Sequence, residues 1–166
     1  MSFAVCVFIT WSVILILSVI PKKLSEQEMI FLFFVDTIFE LSIFTVFHLN
    51  FHWMLVSHSV EKSISDLVIR LVWVPVMLVI ASNVSLYSSR FFRWGIVVAV
   101  VLSGIAIQKV QEWLGILTTP HWNVVYTALM FFSYVAFSRL MTWFIQRIVF
   151  PLPQNVRKMT ELPVTI

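Results

Sequence analysis

Four side chains capable of acid–base or ligand chemistry recur at a four-residue step: Asp36, Glu40, His48 and His52, with Phe44 between the two pairs. On an α-helix each such step advances about 40° past a full turn, so these positions form one slowly winding stripe. Paired carboxylates can exchange protons or hold a cation, and a His-x-x-x-His pair can ligate a metal ion. The stretch that carries them, Met29 to Trp53, is long and apolar enough for a bilayer. There an ionised group costs about 2.5–3.5 kcal/mol on insertion scales. It needs a proton, a cationic partner or water.

Composition sets the context. Of 166 residues, 60% are hydrophobic and 11% charged, with sixteen Phe and seven Trp against three Gly. A soluble domain is about 25% charged, so this chain belongs in a membrane. The net charge of +3 is spread through short connections, which excludes a nucleic-acid platform. About 20 apolar residues cross the roughly 30 Å hydrocarbon layer. Five stretches qualify: 2–20, 29–49, 67–86, 92–110 and 124–148. The expected fold is all-α, a single integral membrane bundle of five transmembrane helices over residues 1–150, with a cytoplasmic tail at 151–166. Pro75 and Arg70 make the third stretch the least regular.

Basic residues predict the orientation. Lys22, Lys23, Arg90, Arg93, Arg147, Arg157 and Lys158 fall on one side, and Lys62 and Lys109 on the other. The positive-inside bias then puts the N-terminus outside and the C-terminus inside. No basic residue precedes the first run and no small-x-small site follows it, so it reads as a helix and not a signal peptide. Trp53, Trp113 and Trp122 belong to the outer boundary, Trp94 and Trp143 to the inner one, and Trp11 and Trp73 to deeper packing. Gly95, Ala99 and Ser103 form a small-residue stripe suited to close helix approach, expected within the chain. Cys6 lies in the first run as a small buried hydrophobe. No internal repeat is evident.

Asp36 lies roughly 10 Å into the second helix and Glu40 near its middle. Arg139, eight residues before Arg147, falls at nearly the depth of Asp36. The expectation is an intramembrane cluster in which Asp36, and with it Glu40, pairs with Arg139 across helices two and five. A second polar group, Asp66 with Arg70 and Lys109 with Glu112, lies at the outer side, either as interfacial ion pairs or as one network. His48, His52, His58 and His121 share that outer side, which splits the stripe into an acidic inner part and a histidine outer part. His48 and His52 are weak metal candidates, and no metal site or cofactor is expected.

Enzyme patterns are missing: no nucleophile elbow, phosphate loop, His-Glu-x-x-His or cysteine cluster occurs. An intramembrane enzyme acting on lipid is the enzyme class left open. The expected role is non-enzymatic, through association as an oligomer or accessory subunit, with the lipid bilayer and a second copy or membrane protein as partners. The alternative is a small proton- or cation-linked transporter using Asp36, Glu40 and Arg139.

Several of these residues also carry a resemblance. The connection Lys22-Lys23-Leu24-Ser25 with Glu28, the intrahelical Asp36, Asn83, and Glu112-Trp113-Leu114-Gly115 followed by Trp122 and Tyr126 resemble uncharacterised small multipass membrane proteins of spore-forming bacilli and clostridia. The resemblance covers roughly residues 20 to 148. It departs over Asn50 to Asp66, where such proteins carry more Tyr and Asp. It implies a Gram-positive cell membrane and brings no established activity.

Overall fold

The structure is a computed structural model that describes residues 2–51, 53–57, 59–86, 90–120 and 122–149. It contains five helices, each long and apolar enough to cross a membrane. They are α1 (Ser2–Val19), α2 (Glu26–Asn50), α3 (Val60–Ser85), α4 (Arg90–Trp113) and α5 (Val124–Phe144), the last continued by a π-helical turn over Ile145–Val149. Residues 151–166, expected as the tail, lie outside the described residues.

Local sequence explains where the helices begin. Ser25 and Glu28 form a reciprocal capping box, the Ser25 amide donating to Glu28 Oε2 at 2.7 Å, so α2 starts one turn before the apolar run. Asn123 caps α5 by accepting from the Val124 amide at 2.9 Å. The largest departure is α3, expected from residue 67 and found from Val60. It winds as a π-helix over Ile69–Trp73, immediately before Pro75. Pro75 lacks an amide donor, and the wider turn absorbs the break without ending the helix.

The third helix is the axis of the bundle. Of its most apolar window 67% is buried, against 17% to 33% in the other four, which turn large apolar side chains outward. Helices α1, α2, α4 and α5 all pack on it. Trp73 is buried there as expected, whereas Trp11, also expected in deeper packing, is 59% exposed. Polar pins fix the α1–α2 connection: Asn83 Oδ1 accepts from the amides of Lys23 (2.6 Å) and Leu24 (3.1 Å), and its Nδ2 donates to the Pro21 carbonyl.

At the opposite end two short strands, β1 (Leu55–Val56) and β2 (Leu117–Thr118), pair antiparallel and tie the α2–α3 and α4–α5 connections together. Gly115, at φ +65°, ends α4 with its amide bonded to Glu112 and that of Ile116 to Gln111, which turns the chain into β2. The ladder carries Met54 and Leu117 over the bundle as a lid, both 2% exposed.

Among the described residues, Gly95 and Ala99 of the small-residue stripe on α4 are not used for close packing, and Ser103 is half-buried. Gly95 and Ala99 are exposed, and a Cβ on Gly95 would meet nothing within 4 Å. Close approach is made instead at Gly104, where a Cβ would stand 2.5 Å from the Phe131 ring. Gly104→Ala is therefore expected to cost about 1–3 kcal/mol of stability in detergent. Gly95→Ala is expected to cost nothing, and equal losses for the two would contradict this packing.

Candidate functional site

The buried charge centres on Arg70, placed by the π-helical turn of α3. Because α3 starts at Val60, Arg70 sits ten residues in, about 15 Å from its beginning. Its Nε donates to Asp66 Oδ2 at 2.8 Å and its Nη1 to Glu40 Oε1 at 2.9 Å. The Phe44 ring covers the guanidinium, its centroid 3.3 Å from Cζ. Asp66 Oδ1 accepts in turn from Gln111 Nε2 at 2.9 Å. One guanidinium thus joins α2 to α3, and its carboxylate partner joins α3 to α4. Asp66, Arg70, Glu40 and Gln111 are all under 9% exposed, so Asp66 and Arg70 belong to a buried cross-helix network.

Arg139 is not the partner of the acidic residues. Asp36, fully buried, accepts from Ser138 Oγ at 2.7 Å, and Ser138 Oγ shares a hydrogen bond with Ser82 Oγ at 2.8 Å. Consecutive helical residues point about 100° apart. With Ser138 facing the interior, Arg139 is turned away along the bundle's side, and it makes no ion pair among the described residues. The depth expected for Asp36's partner is right, and its side chain is wrong by one position.

The Lys109–Glu112 pair belongs to a separate cluster at the ladder end. Half-buried Glu112 accepts from Lys109 Nζ (2.6 Å), Gln108 Nε2 (3.0 Å) and Thr119 Oγ1 (2.8 Å). Gln108 continues the chain of bonds to Thr127, which accepts from Trp122 Nε1. The two clusters lie side by side at Gln108 and Gln111, one turn apart on α4. His48 binds the Met54 carbonyl through Nδ1 at 2.7 Å and stacks on Phe44. From Glu40 to His48 the stripe is continuous: Glu40 and Phe44 both hold Arg70, and His48 backs Phe44, while Asp36 stands apart on Ser138. Among the described residues no three of His, Cys, Asp and Glu gather as a metal site requires. His52, His58 and His121 lie outside the described residues.

Three buried polar atoms have no hydrogen-bond partner among the described residues: Asp36 Oδ1, Glu40 Oε2 and the Tyr134 hydroxyl. Glu40 and Tyr134 line, with Arg70, Gln108 and Gln111, a cavity of about 30 Å³ under Met54 and Leu117. That is room for a single water. Chemically the arrangement can hold charge, fix helices and bind one small polar species. It offers no space for an organic substrate.

Sequence reasoning missed Ser138, Ser82, Tyr134, Gln108, Gln111 and Thr127. Each is an uncharged polar residue inside an apolar helix, and that signal was open to reading beside the charges. No family signature, curated protein or solved structure matches this chain.

Removing Arg70 leaves two buried carboxylates without their cation. Arg70→Gln is expected to cost about 3–5 kcal/mol in detergent unfolding. Arg139→Gln, on a half-buried side without an acidic neighbour, is expected to stay within about 0.5 kcal/mol. A reversed ranking would remove Arg70 from the centre of the site.

Proposed function

We propose that this chain is a non-enzymatic multipass membrane protein that acts by association, as an oligomer or an accessory subunit. The observation that carries this reading is the closed interior. Asp36 and Glu40 are 0% and 1% exposed, and the free space beside Glu40 is that of one water. A transport path needs a hydrated route to such groups, and an enzyme needs room for its substrate. Large apolar side chains of α1, α2, α4 and α5 are exposed along the sides of the bundle. Gly95 and Ala99 offer a second helix a close approach on α4.

A proton- or cation-linked transporter is the second reading. It draws on the orphaned oxygens of Asp36 and Glu40, which an added proton or cation would satisfy. In that case the route would run from Ser82 and Ser138 through Asp36 to Glu40. The basic residues at 22, 23, 90, 93 and 147 favour placing that end of the bundle inside, with the N-terminus outside. The resemblance to membrane proteins of spore formers favours a Gram-positive cell membrane.

Two measurements separate the readings. In proteoliposomes the association reading expects proton and cation flux no greater than in protein-free vesicles, with Glu40→Gln causing no change. Flux that Glu40→Gln abolishes would establish the path instead. Subunit counting in bilayers should find oligomers or a co-purifying membrane partner, and Ala99→Leu should disrupt the assembly while leaving the unfolding midpoint of the chain in place.

A further inference from the structure

Two apolar grooves open on the sides of the bundle. The larger, about 550 Å³ between α2 and α5, is walled by Phe39, Ile43, Phe47, Tyr126 and Leu129, and carries no charge that would select an occupant. The other, about 490 Å³, is different. It lies between α1 and α2, which pack on α3 and stand apart from each other, so Val76 and Val79 of α3 form its floor. Its walls include Leu17, Ile30, Phe33 and Phe34, and at its mouth stand Lys22 and Glu26.

The two mouth residues are exposed, opposite in charge, and in no ion pair among the described residues. Depth narrows the choice of occupant. From Glu26 to Phe34 is eight helical residues, about 12 Å, and half of a roughly 30 Å hydrocarbon layer is about 15 Å. The groove stays within one leaflet. A partner helix must cross both leaflets and is 10–12 Å wide with its side chains, whereas an acyl chain ends within one. Ser18, also in the lining, donates its hydroxyl hydrogen to the Ile14 carbonyl, which leaves the headgroup to Lys22 and Glu26.

We propose that this groove binds one acyl chain of a phosphatidylethanolamine, with the lipid phosphate on Lys22 and its primary ammonium on Glu26. Both contacts are charge-assisted hydrogen bonds, and a lipid must carry both charges to make them. Phosphatidylglycerol brings a phosphate but no cation, and leaves Glu26 facing an anion. The quaternary ammonium of phosphatidylcholine has no N–H to donate. The site does not depend on the association reading.

The test uses the full chain, delipidated in detergent and titrated with phosphatidylethanolamine, phosphatidylglycerol and phosphatidylcholine of identical acyl chains, with bound lipid read by native mass spectrometry. Phosphatidylethanolamine is expected to be retained about tenfold over the other two. Glu26→Lys should reverse the order in favour of phosphatidylglycerol, and Ile30→Trp, which fills the groove from its rim, should lower retention of all three. Equal retention, a preference of the unmodified chain for another headgroup, or binding indifferent to both variants would overturn the proposal. Circular dichroism of each variant separates lost binding from lost fold.

Discussion

The guanidinium of Arg70 is the constraint on which the bundle's interior depends. It bonds Asp66 and Glu40 and is covered by the Phe44 ring, so two of its N–H groups and one face are fixed by two helices. Gln111 extends the hold to a third helix through Asp66. A buried ion pair is weak evidence of net stability, because desolvation offsets most of the attraction. Its larger effect is on arrangement. Apolar helices in lipid pack in many rotations and registers at similar energy, whereas a guanidinium with two carboxylates and a ring has one geometry that satisfies all of them. The π-helical turn before Pro75 belongs to the same constraint, since it sets the direction in which Arg70 leaves α3.

Much of this was legible in the residues and some was not, for identifiable reasons. Five apolar stretches gave five helices because hydropathy and length suffice for that. Asp36 and Glu40 announced an interior site because charge in an apolar run has to be compensated. The partner was misassigned because depth follows from counting residues along an axis, while the facing side chain depends on rotation about it. Position 138 faces inward and position 139 does not. The burial of Arg70 was hidden for another reason. The apolar run of α3 begins at Leu67, but the helix begins at Val60, so Arg70 is not at its end and is buried among its neighbours.

The start of α2, set at residue 29 by the apolar run alone, could have been read more closely. Ser25 and Glu28 are a capping box, and reading them places the first turn at Glu26. The ladder between Leu55–Val56 and Leu117–Thr118 was not legible, because two-residue strands leave no periodicity. Yet the ladder matters to the site. It brings Met54 and Leu117 from connections more than sixty residues apart onto the roof of the Arg70 cavity, and Met54 supplies the carbonyl that holds His48. The small stripe on α4 shows the same limit from another side. Spacing identified Gly95 and Ala99 as a close-approach face, but which way that face points is decided by where α3 and α5 pack.

The charge balance of the interior sharpens what this site asks of its surroundings. Three carboxylates are buried in the interior, of which Glu40 and Asp66 share the one guanidinium and Asp36 is held by Ser138 instead. Asp66 has both oxygens bonded, while Glu40 and Asp36 each leave one oxygen orphaned, and the Tyr134 hydroxyl is orphaned beside Glu40. An apolar replacement for such a cluster would pack at least as well, so stability alone does not account for its composition. What the cluster adds is discrimination. A helix that docks with the wrong rotation leaves Arg70, Glu40 or Asp36 facing hydrocarbon, at several kcal/mol each by membrane insertion scales. The two bonded sets, Ser82–Ser138–Asp36 and Glu40–Arg70–Asp66–Gln111, therefore disfavour other orders and rotations of the helices they join.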